Sequence, residues 1–175
     1  MFDNPVVAII VILIVAGLIA AAAYYIIRFM RGTIKLTLSK TGYAGGETIS
    51  GSFALHAKKQ IQGNKLIVTL IGHEVTEHHE DGKTKTRTRE IYRDEVLIED
   101  AKIYPAGHTG VYNFEIATPN MGNPEFMNST LGKTLAGALN MLSDRRSRMK
   151  WKVEARLDAK GVDLATSKSV SISGC

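Results

Sequence analysis

The stretch Glu80-Asp81-Gly82-Lys83 decides how this chain is read. Asp-Gly readily adopts the positive φ values that the two central residues of a type I′ turn require, so the flanking segments pair as an antiparallel hairpin. Upstream, Leu66, Val68, Leu70 and Gly72 form one inward row that continues toward Val75. Downstream, Thr84 to Asp100 is the return strand. Its first half carries Lys, Thr and Arg on both faces, which predicts a solvated outer end and burial from Ile91 onward.

Working outward, a period of two dominates everything after residue 33. Ile34, Leu36 and Leu38 alternate with Lys35, Thr37 and Ser39, the pattern of a half-buried strand. Tyr43-Ala44-Gly45-Gly46 reads as a turn, and Glu47 to Ala57 as a strand with Ile49, Phe53 and Leu55 on one face. Gly51 inside it predicts a bulge. Tyr104-Pro105-Ala106-Gly107 turns the chain again. Val111 to Ala117, then Trp151, Val153, Ala155 and Leu157, then Ser167 to Ser173 with Val170 and Ile172 inward, complete a set of seven strands. This predicts a mainly β protein, an antiparallel immunoglobulin-like β-sandwich.

One segment breaks the alternation. Between Pro119 and Trp151, Leu131, Leu135, Leu139 and Leu142 recur at i, i+4, i+8 and i+11, along one side of an α-helix. An amphipathic helix from Phe126 to Leu142, ending near Asp144, is therefore expected as an insertion at about 120–150. Three environments suit its leucines: an open end of the sandwich, the membrane surface beside Arg145, Arg146 and Arg148, or a partner protein.

The amino-terminal end differs in kind. Pro5 to Ile27 carries no charge, and at about 1.5 Å per residue it forms a helix just longer than the ~30 Å hydrocarbon layer of a bilayer. A core helix of a small soluble protein would show a polar face, and this one shows none. Ala20 to Ala23 offers small-residue cleavage sites, yet Met1-Phe2-Asp3-Asn4 lacks the basic start of a secretory signal. An uncleaved anchor over residues 1–32 is expected, followed by one domain over 33–175. Arg28, Arg31, Lys35 and Lys40 follow the span and nothing basic precedes it. The positive-inside rule then puts the amino terminus outside and the domain in the cytoplasm of a single-pass inner or plasma-membrane protein. Ala16, Gly17, Ala20 and Ala21 form a small-residue face suited to close packing against another helix in lipid.

Bulk composition narrows the function classes. The chain has 175 residues, a net charge of +5 and a pI near 9.3. Its basic groups concentrate at Lys83, Lys85, Arg87 and Arg89, and at Arg145, Arg146, Arg148, Lys150 and Lys152. Beside an anionic leaflet these would attract lipid headgroups, with Arg28 and Arg31 closest to the span. No recognition helix, zinc finger or aromatic-plus-basic signature accompanies the charge, so nucleic acid is not an expected partner. Cys175 allows no intrachain disulfide and, as the last residue of the sequence, no C-a-a-X box.

Four stretches carry a resemblance to the arrestin family. Tyr43-Ala-Gly-Gly-Glu47-Thr-Ile49-Ser-Gly51 is similar to that family's early turn and strand, and Leu66 to Thr76 resembles its central strand. Tyr104-Pro-Ala-Gly107 with Tyr112-Asn-Phe114-Glu-Ile116 and Pro119 resembles the following turn and strand, and Trp151 to Ala159 the late one. The chain has room for one such sandwich where arrestins have two. It also adds a span and a longer connection over 120–150, and none of its residues matches a phosphate-sensing cluster. The resemblance implies an arrestin-like β-sandwich and a non-catalytic adaptor that binds proteins through strands and loops.

Catalytic constellations are not found. His73-Glu74-Val75-Thr76-Glu77-His78-His79 resembles a zinc-protease motif only superficially. That chemistry needs two imidazoles four apart on a helix, and the fourth residue after His73 is Glu77. On a strand, His73, Glu77 and His79 share a face; the expected reading is a solvated hairpin with no metal, and His73 and His79 are the candidate ligands of the alternative, an adventitious zinc at the hairpin tip. There is no G-x-S-x-G, phosphate loop or dinucleotide glycine pattern, so no cofactor and no small-molecule substrate are expected. The expected function is a scaffold or accessory subunit of a larger membrane complex, with integral membrane subunits and the lipid bilayer as partners. The alternative is a freestanding tethered adaptor that recruits soluble proteins or binds anionic lipid.

Overall fold

Strand β4 (Ile61–Glu80) is the spine of the structure. The computed structural model describes residues 5–80, 83–120, 122–142 and 147–173. Over Leu66 to Gly72, β4 is buried on both faces. Leu66, Val68 and Leu70 face the core, while Ile67, Thr69 and Ile71 face outward and are still covered. The register explains this cover. Ile71 lies between Arg93 and Lys152, Thr69 between Glu95 and Glu154, and Ile67 has Arg156 beside it. Long charged side chains lay their aliphatic stems along an apolar strip and keep their heads wet. Ion pairs hold those heads in place: Lys65 to Glu95 at 2.6 Å, and Lys152 to Glu154 at 3.2 Å.

β4 pairs with β5 (Lys83–Glu99) on one side and β8 (Ser147–Ala159) on the other. Glu80 lies opposite Lys83, which leaves a two-residue connection as the Asp-Gly pair predicts; residues 81 and 82 themselves lie outside the described residues. From β8 the sheet continues to β9 (Leu164–Ser173) and β2 (Gly42–Ala44), and β6 (Lys102–Tyr104) joins β4 at its start. A second sheet, β1 (Gly32–Leu38), β3 (Thr48–Ala57) and β7 (Thr109–Ala117), packs against the first. Ile34, Leu36, Ile49, Phe53, Leu55, Phe114 and Ile116 meet Leu66, Val68, Leu70, Val153, Ala155, Leu157 and Leu164 in one core.

Several expectations change. Nine strands are described rather than seven, because β2 and β6 occupy stretches whose sequence reads as turn. Three-residue pairings of this kind are imposed by neighbouring strands rather than by local pattern. The sheets are not purely antiparallel, since β2 runs parallel to β9. Gly51 is not at a bulge: it stays in register between Leu38 and Phe114. A side chain there would meet the Thr37 carbonyl at 2.5 Å and the Phe114 ring at 2.9 Å, so close approach explains the glycine. The bulges lie in β4, at Gly63/Lys65, Leu66/Ile67 and Gly72/His73. Among the described β5 side chains Ile91 and Tyr92 are buried, Val96 and Ile98 pack partly buried against the core, and Leu97 is 52% exposed.

The inserted helix is two helices, α2 (Pro124–Asn128) and α3 (Thr130–Leu142). Ser129, in extended conformation, ends the first through its N–H to Phe126 O and caps the second by accepting from the Gly132 N–H at 3.0 Å. Gly132 is forced by the same break, since a Cβ there would lie 1.9 Å from Phe126 O. Leu135 is fully buried in the core cluster, whereas Leu131 is 40% exposed. Phe126 stands 6.5 Å from Tyr92, which in turn packs edge-on against Trp151 at 5.3 Å. The insertion therefore packs on its own sandwich.

Helix α1 (Pro5–Arg31) precedes all of this. It is long and apolar enough to cross a membrane, and among its described residues none of the candidate span is buried within the fold.

Candidate interaction surfaces

The junction between α1 and the sandwich has no linker: Arg31 is the last helical residue and Gly32 the first residue of β1. A helix end leaves unsatisfied carbonyls that need partners. Here the Arg31 carbonyl accepts the backbone N–H groups of Lys58, at 2.8 Å, and Lys59, at 3.2 Å. The Arg31 guanidinium donates to Val162 O at 2.9 Å. Lys58 Nζ stands 3.4 Å from the centre of the Phe29 ring, a cation–π contact. A groove of about 260 Å³ runs between the last turns of α1 and the starts of β1 and β9, lined by Tyr25, Phe29, Ile34 and Leu164 among others. Two loops, 57–61 and 159–164, are thus fastened to the end of the helix.

The small-residue face is exposed at Ala16, Gly17, Ala20 and Ala21, and a Cβ added at Gly17 would meet nothing within 4 Å. One described neighbour pair on α1 is Tyr24 and Tyr25, in edge contact at 5.8 Å.

The basic residues separate into two ends. Arg31 belongs to the base, where β1 and β9 begin. Arg148 lies opposite Val75, nine residues along β8 from the Leu157 that meets Leu164 at that base, or roughly 30 Å of strand. It is exposed and pairs with Glu77 at 3.1 Å. Leu131 and Leu135 are placed as described above. The side chains of Arg28, Leu139 and Leu142, and residues Arg145, Arg146 and Cys175, lie outside the described residues.

His73 is half-buried and lies in register between Glu90 and Lys150. The His79 side chain lies outside the described residues, and among those described no group of His, Cys, Asp and Glu is arranged to hold a metal ion.

One polar cluster escaped the sequence reading. Glu99 accepts the hydroxyls of Tyr104, at 2.8 Å, and Tyr112, at 2.9 Å, through one oxygen, and Lys102 Nζ, at 2.8 Å, through the other. Burial works to raise the Glu99 pKa, but the hydrogen bonds from Lys102, Tyr104 and Tyr112 outweigh it and hold the carboxyl below its usual value. Burial, reinforced by the Glu99 charge, pushes Tyr112 up to about 12 and Tyr104 higher still. The cluster ties β5, β6 and β7 together. Its members match no motif and sit on three different strands, so pattern reading does not find it.

No protein-family model matches the sequence, and no curated protein is similar to it in sequence. Among solved structures, the chain is similar to Spo0M, a sporulation control protein from Bacillus subtilis, with a TM-score of 0.55 at 12% identity. The similarity covers 83% of this chain and 50% of that one, so the chain spans about half the length of Spo0M. At this identity the likeness concerns the fold alone, and the fold it supports is an arrestin-like β-sandwich.

Proposed function

We propose that this protein is a non-catalytic, single-span membrane protein, a scaffold or accessory subunit of a larger membrane complex, whose partners are integral membrane subunits. The observation that carries the reading is the junction. A helix of bilayer length, exposed along its described surface, passes without a linker into a sandwich whose loops bond its last residue. Such a device holds a folded domain at a fixed position on a membrane and leaves the helix surface to be covered by lipid or by other helices. The small residues at Ala16, Gly17, Ala20 and Ala21 supply the close-packing face that drives helix association in lipid. By the charge that follows the span, the domain is cytoplasmic.

The test is to replace Gly17, Ala20 and Ala21 by leucine and follow the complex in mild detergent. Release of the chain from its partners supports the reading. Unchanged association would remove the helix face from the account.

A freestanding adaptor is the second reading, favoured by β5. It is an edge strand of seventeen residues, long enough to accept an added strand. Its Lys85, Arg87, Arg89 and Arg93 work against indiscriminate pairing, as edge charges generally do.

A further inference from the structure

We infer that the base of the sandwich binds the headgroup of an anionic phospholipid through Lys58, Lys59 and Lys160. The inference rests on the reading of α1 as a membrane span and adds to it a ligand and a site.

Depth fixes the level. If Tyr24 and Tyr25 mark the edge of the hydrocarbon, Arg31 lies six residues further, or roughly 9 Å, which is close to the depth of the headgroup layer. Because no linker follows, whatever is bonded to Arg31 shares that level. The N–H groups of Lys58 and Lys59 both end on its carbonyl. The loop after β8 reaches it through Val162 O, and Gly161 in that loop, at φ 97°, lies so close that a Cβ would sit 2.9 Å from the Arg31 guanidinium. Lys160 precedes that glycine and donates its own N–H to Gln62 O at 3.0 Å, beside the loop carrying Lys58 and Lys59.

Charge then selects the occupant. The side chains of Lys58, Lys59 and Lys160 are exposed, so the loops that meet the end of the helix carry three cations in addition to Arg31. Asp163, in the same loop as Lys160, is already held by Arg156 and by the Ala159 N–H at 3.1 Å, with Asp158 also facing Arg156. The local field is therefore positive at phosphate level. Lys58 Nζ covers the ring of Phe29, which also lines the groove at this junction. Clustered cations at the headgroup layer fit an anionic lipid and not a zwitterionic one.

The experiment uses the full chain purified in mild detergent and mixed with equal parts of phosphatidylglycerol and phosphatidylcholine. Native mass spectrometry reads the ratio of the two lipids retained. The expected result is enrichment of phosphatidylglycerol by roughly tenfold or more, since each surface lysine adds about a factor of five. In the triple variant Lys58→Gln, Lys59→Gln, Lys160→Gln the ratio should fall to near one, and the corresponding triple arginine variant should keep it. Equal retention of both lipids by the parent chain, or undiminished enrichment in the glutamine variant, overturns the inference. Flotation of the same protein with phosphatidylcholine vesicles separates the two readings. A chain that floats yet shows no selectivity retains its anchor and loses the lipid site; a chain that fails to float loses both.

Discussion

The backbone N–H of Lys58 donates to the carbonyl of Arg31 at 2.8 Å, tying the last residue of a bilayer-length helix to the loop that joins β3 and β4. That bond, the Lys59 N–H and the Arg31 to Val162 contact convert a covalent junction into a fixed one. The residue at the junction is Gly32, and its identity follows from space. A Cβ there would lie 2.4 Å from the His56 carbonyl oxygen and 3.0 Å from Leu164. Backbone cannot yield as a side-chain tip can, so Gly32→Val should lower stability by about 2–4 kcal/mol. Gly42→Ala, whose nearest neighbour would be at 3.4 Å, should leave it nearly unchanged. Thermal unfolding of both variants in detergent checks the contrast; equal stability would show that the junction is looser than described.

Trp151 supplies its own reporter, being the single tryptophan of the chain. Its ring occupies the space above Gly72, where a Cβ would come within 2.7 Å of it. Gly72→Ala should displace the ring, alter its emission and cost about 1–3 kcal/mol, as overpacking does. An unaltered spectrum would mean that the ring does not rest there.

Leu135 and Leu131 separate the readings of the inserted helix. Leu135→Ala should cost about 2–4 kcal/mol because Leu135 is fully buried, and Leu131→Ala should cost little on the isolated protein. If both were neutral, α3 would not be docked on β5 in solution.

The hairpin around Asp81-Gly82, the alternation in β1, β4 and β8, and the uncharged run of α1 are local patterns, and each led to the right element. Leu135 was legible as apolar but not as fully buried, because which turn of α3 meets β5 depends on packing between distant segments. The parallel β2–β9 pair and the Glu99 cluster depend on contacts across 130 and 13 residues, and nothing local announces either. At the base, Arg31 was visible from its place after the span. Lys58, Lys59 and Lys160 stand on two loops far apart in sequence that only the fold brings to the helix end.

The Glu99 cluster predicts a two-sided pH dependence. The carboxyl is held below its ordinary value, so its stabilising effect is full above about pH 4.3 and disappears as pH falls through the lower folded value. Tyr112 is raised to about 12, so its contribution is full below about pH 10 and is lost as pH rises through 12. Glu99→Gln should destabilise the protein by about 1–2 kcal/mol at neutral pH, with the difference narrowing in acid. Ultraviolet titration of the same variant should show two tyrosines moving down toward their ordinary range. Titration curves identical in parent and variant would contradict the contacts.

The most direct test of the central claim is mild-detergent extraction of native membranes followed by size fractionation and mass spectrometry of what travels with this chain. The account predicts stoichiometric co-migration with integral membrane subunits, lost when Gly17, Ala20 and Ala21 are replaced by leucine. Migration alone, or with soluble proteins only, would contradict an accessory subunit and favour a freestanding tethered adaptor.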